Sequence, residues 1–299
     1  SNLIFKNNSC INDGNALAVH DNANVTIQYC DFLNNYKQGG SQLSSSGYTL
    51  YITGNCNIRN SSFIENMANF DLAYVSSWGS PYNISNIYIK SHPSHINYSR
   101  SSQVYSIANN RDGVMSNIVV DGRPLRIEAY GSTQIINSTF SSGIDVKTGS
   151  SSVEIYNTIL GDVIIHNDFV DLDVSNSNIY PGSIQFSGSF SFQSTSIIDT
   201  NNISYLSPLF LDAVNGDYRL SNLSSFIGAG LDTSIVPTTD LDGNPRPNPV
   251  GSNPDIGAYE NALAFPLVLG CIDSLAYNFN SSADTSDGSC LYCNLTDSS

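Results

Sequence analysis

Six polar residues in the middle of the chain recur at a spacing that could serve chemistry on a sugar polymer. Arg126 and Glu128 flank Ile127, Asp145 and Lys147 flank Val146, His166 follows Ile165, and Gln185 follows Ile184. The apolar positions 127, 146, 165 and 184 advance by 19 residues each time. Neighbours along a β-strand point to opposite faces. If the apolar set faces inward, Glu128, Lys147, His166 and Gln185 share one outward column, with Arg126 beside Asp145. A Lys or Arg base taking a proton next to a uronate carboxylate, with a second cation neutralising the charge, is the chemistry of a polysaccharide lyase. Lys147, Arg126, Glu128 and His166 would carry that reaction. Arg126, Glu128, Asp145, Lys147 and His166 would equally line a carbohydrate-binding face without catalysis. The plainer reading is a ladder of exposed ion pairs at rungs about 4.8 Å apart, which fixes register and contributes little per pair.

A second group lies near the end of the chain. Asp273, Asn278, Asn280, Asp284 and Asp287 fall between Cys271 and Cys290. A short loop so rich in side-chain oxygens suits calcium, although the spacing is not that of an EF-hand. The alternative is Asx-turn chemistry that stiffens a loop with almost no core. The remaining candidates are plainer. His20, His92 and His95 lack a metal-ligand spacing. Arg111, Asp112, Asp121 and Arg123 read as loop charges. Trp78, Tyr74 and Tyr82 read as a loop cluster over an apolar edge.

The elements that position these residues are set by a repeat of the form apolar-x-Asn-polar-x-apolar. It is clearest at Ile58–Phe63 and Ile135–Phe140, and begins with a variant at Ile27–Phe32 in which Tyr29 stands for Asn. The Asn moves from 60 to 86, 117, 137, 157 and 176, in steps of 26, 31, 20, 20 and 19 residues. A period near twenty with short β-rich runs is that of a parallel β-solenoid, in which no repeat buries its apolar face alone. Ile58, Ile84, Met115, Ile135, Ile155 and Val174 form one apolar column, and Phe63, Ile89, Val120, Phe140, Leu160 and Ile179 another. Asn tolerates the left-handed backbone of a tight corner, and its amide can bond to the amide above and below. Asn137→Leu is therefore expected to destabilise the stack. Helical periodicity is missing, and the runs end at Gly, Asn and Ser.

Composition narrows the function. The chain has 299 residues, 40% of them hydrophobic and only 12% charged, with a net charge of −15. Binding nucleic acid needs clustered Lys and Arg, which this chain lacks. Nothing is long and apolar enough to span a bilayer, so neither a nucleic-acid partner nor membrane insertion is expected. Of six cysteines, Cys290 and Cys293 form a solitary CxxC without zinc spacing, and disulfides in an oxidising compartment fit better. Cys10 and Cys30, 20 residues apart, fall on adjacent repeats where they could bridge or stay reduced and pack. Cys56 points inward as a buried thiol. Cys293 is left over, and a partner beyond Ser299 in a longer polypeptide is expected.

Three stretches resemble known families. Gly14–Val19, Asn24–Ile27 and Cys30–Asn35 resemble the coils of pectate-lyase-like β-helix proteins of bacterial surfaces. That resemblance spans about residues 1–205 and implies a right-handed parallel β-helix. Ser207–Phe210, Asn215–Leu220, Gly228–Gly230, Asp240–Pro247 and Asp255–Glu260 resemble the end region of bacterial choice-of-anchor proteins. They imply a closing or capping region over 206–260, followed by a linker over 261–270. Where that family has a carboxylate before Ala-Gly, this chain has Phe226-Ile227-Gly228, which should alter local packing only. Gly270–Cys290 resembles a short Cys-bounded repeat of Bacteroidota proteins exported by type IX secretion. It implies a Cys271–Cys290 pair in a module over 271–290, with 291–299 opening a further segment. The expectation is an all-β, secreted, cell-surface adhesin or stalk that contacts a polysaccharide or protein without catalysis. The lyase or hydrolase on acidic polysaccharide is the alternative.

Overall fold

A computed structural model describes residues 3–10, 16–19, 24–37, 50–53, 56–66, 73–76, 82–90, 105–109, 112–129, 131–146, 151–165, 170–179, 184–186, 196–200 and 206–292. These are all-β apart from a single 3-10 turn at Ala213–Asn215. A 16-stranded sheet dominates, and every pairing within it is parallel. No helix among the described residues is long and apolar enough to cross a membrane.

The registers align the columns read from the repeat. Ile27, Ile58, Ile84, Met115, Ile135, Ile155 and Val174 follow one another from rung to rung. Phe63, Ile89, Val120, Phe140, Leu160 and Ile179 do the same. Both sets belong to one buried core. Burying each such side chain contributes about 1.5–3 kcal/mol, and the gain depends on the rung above being present. At the first rungs the second column is aromatic: Phe5, Phe32 and Phe63 stack with centroids 4.8 and 4.7 Å apart.

Between the columns the chain turns a corner at Asn. Asn60, Asn86, Asn117, Asn137, Asn157 and Asn176 all have φ between 47° and 55°, and Tyr29 takes the same place at 53°. This left-handed backbone is the one Asn adopts most readily after glycine. The residue after the Asn completes the corner. Its N–H bonds not to a carbonyl but to the hydroxyl one rung on: Ile118 N to Ser138 Oγ at 3.1 Å, Ser138 N to Thr158 Oγ1 at 3.3 Å, and Thr158 N to Ser177 Oγ at 3.0 Å. Each hydroxyl in turn donates to the carbonyl two residues before it. That relay explains why Ser or Thr so often follows the Asn: buried backbone groups must be paired.

Three expectations are corrected. Ile184 does not continue the column of Ile127, Val146 and Ile165. It pairs with Val163, and Phe186 pairs with Ile165, a slip of two residues. On the first rung the strand Leu3–Lys6 places Phe5 at the Phe63 position. Cys10 lies beyond that strand in a separate pair opposite Lys37, and Cys30 is a buried free thiol, so no Cys10–Cys30 bridge forms. Tyr82 is no loop aromatic either. It is fully buried on the strand Tyr82–Lys90, over Gly113, where an added Cβ would lie 1.9 Å from the ring. Its hydroxyl reaches Thr133 at 3.1 Å, spanning two rungs.

Candidate functional site

The outward strand face of the sequence analysis is partly described. Arg126 lies opposite Asp145 in register, and its Nε and Nη2 donate to the same carboxylate oxygen at 3.1 and 2.7 Å. Both side chains are largely shielded, at 13% and 7% exposure, so this is a covered pair, not a solvated ladder. The next residues in that column are Ile164 and Gln185, because of the two-residue slip. Gln185 therefore leaves the column of Glu128. Glu128 lies on the strand Leu125–Ala129 opposite Ala108. Lys147 and His166 lie outside the described residues, as do His20, His92, His95, Trp78, Arg111 and Cys293.

The proposed calcium ligands are dispersed among local turns. Asp273 accepts from Leu275 N at 2.9 Å and from the Tyr292 hydroxyl at 2.6 Å. Asn280 accepts from Ser282 N, Asp284 from Val268 N, and Asp287 from Ser289 N. Asn278 bridges Ser289 O and Leu291 N. Among the described residues no group of three His, Cys, Asp or Glu side chains is placed to hold a metal. The Asx-turn alternative describes this loop. Cys271 and Cys290 are joined, with Cα atoms 4.8 Å apart.

A further set of polar contacts joins the Asn corner to residues 206–260, which the sequence assigns to a closing region of the stack. That segment runs along the flank as a strap. Asn117 Nδ2 donates to Thr239 O at 2.7 Å and Asn137 Nδ2 to Asp255 O at 3.0 Å. Asn157 makes a reciprocal pair with Leu231: Nδ2 to the carbonyl at 2.9 Å and Oδ1 from the N–H at 2.7 Å. Asn-to-Asn bonds run along the same column, and Asn117 makes one while also bonding the strap. Asn86 to Asn60 is 2.8 Å and Asn117 to Asn86 2.9 Å, but Asn157 to Asn137 stretches to 3.5 Å. Gly230 and Gly257 let the strap approach. A Cβ on Gly230 would meet Asn157, and one on Gly257 would meet Ile159 and Thr139. Asp121, expected as a loop charge, accepts the Tyr218 hydroxyl at 2.6 Å.

Inside the strap, the residues of the end-region resemblance form a buried ion cluster. The Arg246 guanidinium lies 3.3 Å from Glu260 and donates to Gly257 O at 3.2 Å. Asp255 accepts from Gly228 N and Asn261 N, both at 2.7 Å. Asp240 accepts from Asn244 N at 2.8 Å and Glu260 N at 2.9 Å. Glu260 pairs with the guanidinium out of water, and the Asp240 and Asp255 charges act on it from nearby. Burial pushes Glu260 up to about 7 and Asp255 to about 6, and lowers Arg246. Phe226 and Ile227 plug the seam with Ile159, Leu220 and Ile256. Each partner in the cluster is a backbone or neighbouring strap group, so its work is to hold the strap.

A further ladder escaped the sequence reading. Asn8, Asn35 and Asn66 stack at a second corner: Asn35 Oδ1 accepts from Asn8 N at 3.0 Å, and Asn66 Oδ1 from Asn35 N at 2.9 Å. The signal was present as Phe-x-Asn-Asn at Phe5 and Phe32 and Phe-x-Glu-Asn at Phe63.

Comparison with protein-family models, with curated proteins and with solved structures returns no significant match.

Proposed function

We propose that this chain is a secreted, cell-surface structural or adhesive module without catalytic activity, built as a right-handed parallel β-helix with its C-terminal segment strapped along one flank. The single observation that carries the reading is the strap. Buried polar chemistry is spent on clamping Asn117, Asn137 and Asn157 to backbone groups of 231–255. That stiffens the stack along the corner it covers. The covered Arg126–Asp145 pair supports the same reading, because a lyase base must be free to reach substrate. Export by a type IX route and contact with a polysaccharide or protein at the surface follow from the family resemblances and complete the proposal.

The test is incubation of the full chain with a panel of acidic polysaccharides and calcium, followed by the ultraviolet absorbance of unsaturated uronates. The proposal requires no product. Product formation that Lys147→Ala abolishes at unchanged melting temperature would establish the lyase instead.

A further inference from the structure

The unit closed by Cys271–Cys290 buries almost nothing of its own. Cys271 and Ala276 are the buried apolar side chains within it, while Leu275 is 86% and Tyr277 87% exposed. Ile272, Phe279, Leu291 and Tyr292 are exposed as well. Hydrogen bonds gather these residues over one small body. Tyr277 N donates to Leu291 O at 2.8 Å, Phe279 bridges to Cys271, and the Tyr292 hydroxyl reaches Asp273 beside Ile272. Isolated exposed apolar residues are ordinary, but a cluster rimmed by polar groups marks a contact surface.

The charge around the cluster has one sign. Arg246 is the last basic residue, and from 247 to 299 there is no Lys, Arg or His, while Asp273, Asp284 and Asp287 lie within the unit. The Tyr292 hydroxyl holds the Asp273 carboxyl below its ordinary value, and Ser289 does the same for Asp287. The rim therefore stays anionic at neutral pH. We propose that the Cys271–Cys290 unit is a docking surface for a partner protein whose contact face presents apolar side chains ringed by Lys or Arg. The aliphatic share of the cluster favours a protein over a sugar, whose stacking uses aromatic faces alone. The opposite charges would steer the encounter and set its salt dependence. The inference rests on the non-catalytic reading only in that such a module works by contact. The uronate assay and the docking assay read different parts of the chain, so either can fail alone.

The experiment uses the full chain and an amphipathic Lys/Leu helical peptide as a surrogate for the partner face, with its Glu/Leu counterpart as control, read by fluorescence anisotropy. The wild-type chain should bind the Lys/Leu peptide, more weakly at high salt, and not the Glu/Leu peptide. The double variant L275S/Y277S should weaken binding about tenfold or more, as loss of central apolar anchors does. An intact-mass check for the disulfide and an unchanged melting temperature would show that the variant is folded, since both side chains are exposed. Equal binding by wild type and L275S/Y277S would overturn the proposal, because the peptide would then be sampling the general negative charge. Retardation of the wild type by a neutral β-glucan, lost in the same variant while the peptide is not bound, would overturn it in favour of a sugar platform.

Discussion

Asn157→Leu removes the most demanding contact between strap and stack. The Asn157 amide satisfies both the N–H and the C=O of Leu231; Asn157 itself is fully buried, while Leu231 is partly open to solvent. Leaving a buried backbone group unpaired costs about 1–3 kcal/mol, and the two part-exposed groups lost here cost near the low end, about 1 kcal/mol each. The corner backbone, at φ 49°, adds about 1–2 kcal/mol for a leucine. The branched side chain would also press on Gly230, whose own Cβ position is 3.1 Å from the Asn157 side chain. The expected loss is about 3–4 kcal/mol. Asn157→Gly separates the contributions. Glycine accepts the left-handed backbone, so it should be milder than leucine by about 1–2 kcal/mol while still losing both hydrogen bonds. Urea denaturation followed by circular dichroism gives the totals, and limited proteolysis within 231–255 reports whether the strap lifts first. A leucine variant within about 1 kcal/mol of wild type would refute the reasoning, and so would a glycine variant as damaged as the leucine one.

Gly113→Ala should cost about 1–3 kcal/mol by overpacking against Tyr82, and Tyr82→Leu in the same chain should recover part of that loss; thermal melts of the single and double variants check it. Burial raises Glu260 and Asp255 above their unfolded values of 4.5 and 3.8, to about 7 and about 6. The folded state therefore holds their protons more tightly, and their contribution to stability is fully present at low pH and is lost as pH rises from about 4 to about 7. Asp240 adds to that rise at Asp255 and Arg246 opposes it at both carboxyls. A higher melting temperature near pH 5 than near pH 8, with the difference reduced in Glu260→Gln, is the expected result. Cys271→Ser opens a loop of 19 residues and should destabilise the C-terminal unit by about 3 kcal/mol. The stack should keep its melting temperature, which differential scanning calorimetry can read separately.

The parallel stack was legible because its information is local and repeated. An Asn at a fixed distance from two apolar residues predicts a left-handed corner between two columns, and the six Asn φ values agree. The strap was not legible. Its contacts join residues 74 to 122 positions apart, and no periodicity relates Leu231 to Asn157 or Thr239 to Asn117. The same limit applies to register. Ile184 kept the 19-residue spacing, yet the strand Ile184–Phe186 pairs two residues off, so Gln185 falls opposite Ile164 instead of extending the charge column. The Arg126–Asp145 pair was found from spacing, but its burial was not, because exposure depends on what covers the face. The Asn8–Asn35–Asn66 corner was within reach of the sequence. An Asn stands three residues beyond each stacked Phe, at the same step from rung to rung as the Phe itself.

The strap as a permanent part of the rod is the claim on which the account rests, and amide hydrogen exchange on the full native chain tests it most directly. The N–H groups of Leu231, Gly257 and Ala258 bond to Asn157 Oδ1, Asn157 O and Thr139 Oγ1 across the seam. The account predicts that these amides exchange as slowly as Ile118 and Ser138 in the corner relay, because strap and stack open together. Fast exchange at Leu231, Gly257 and Ala258, with Ile118 and Ser138 still protected, would contradict it.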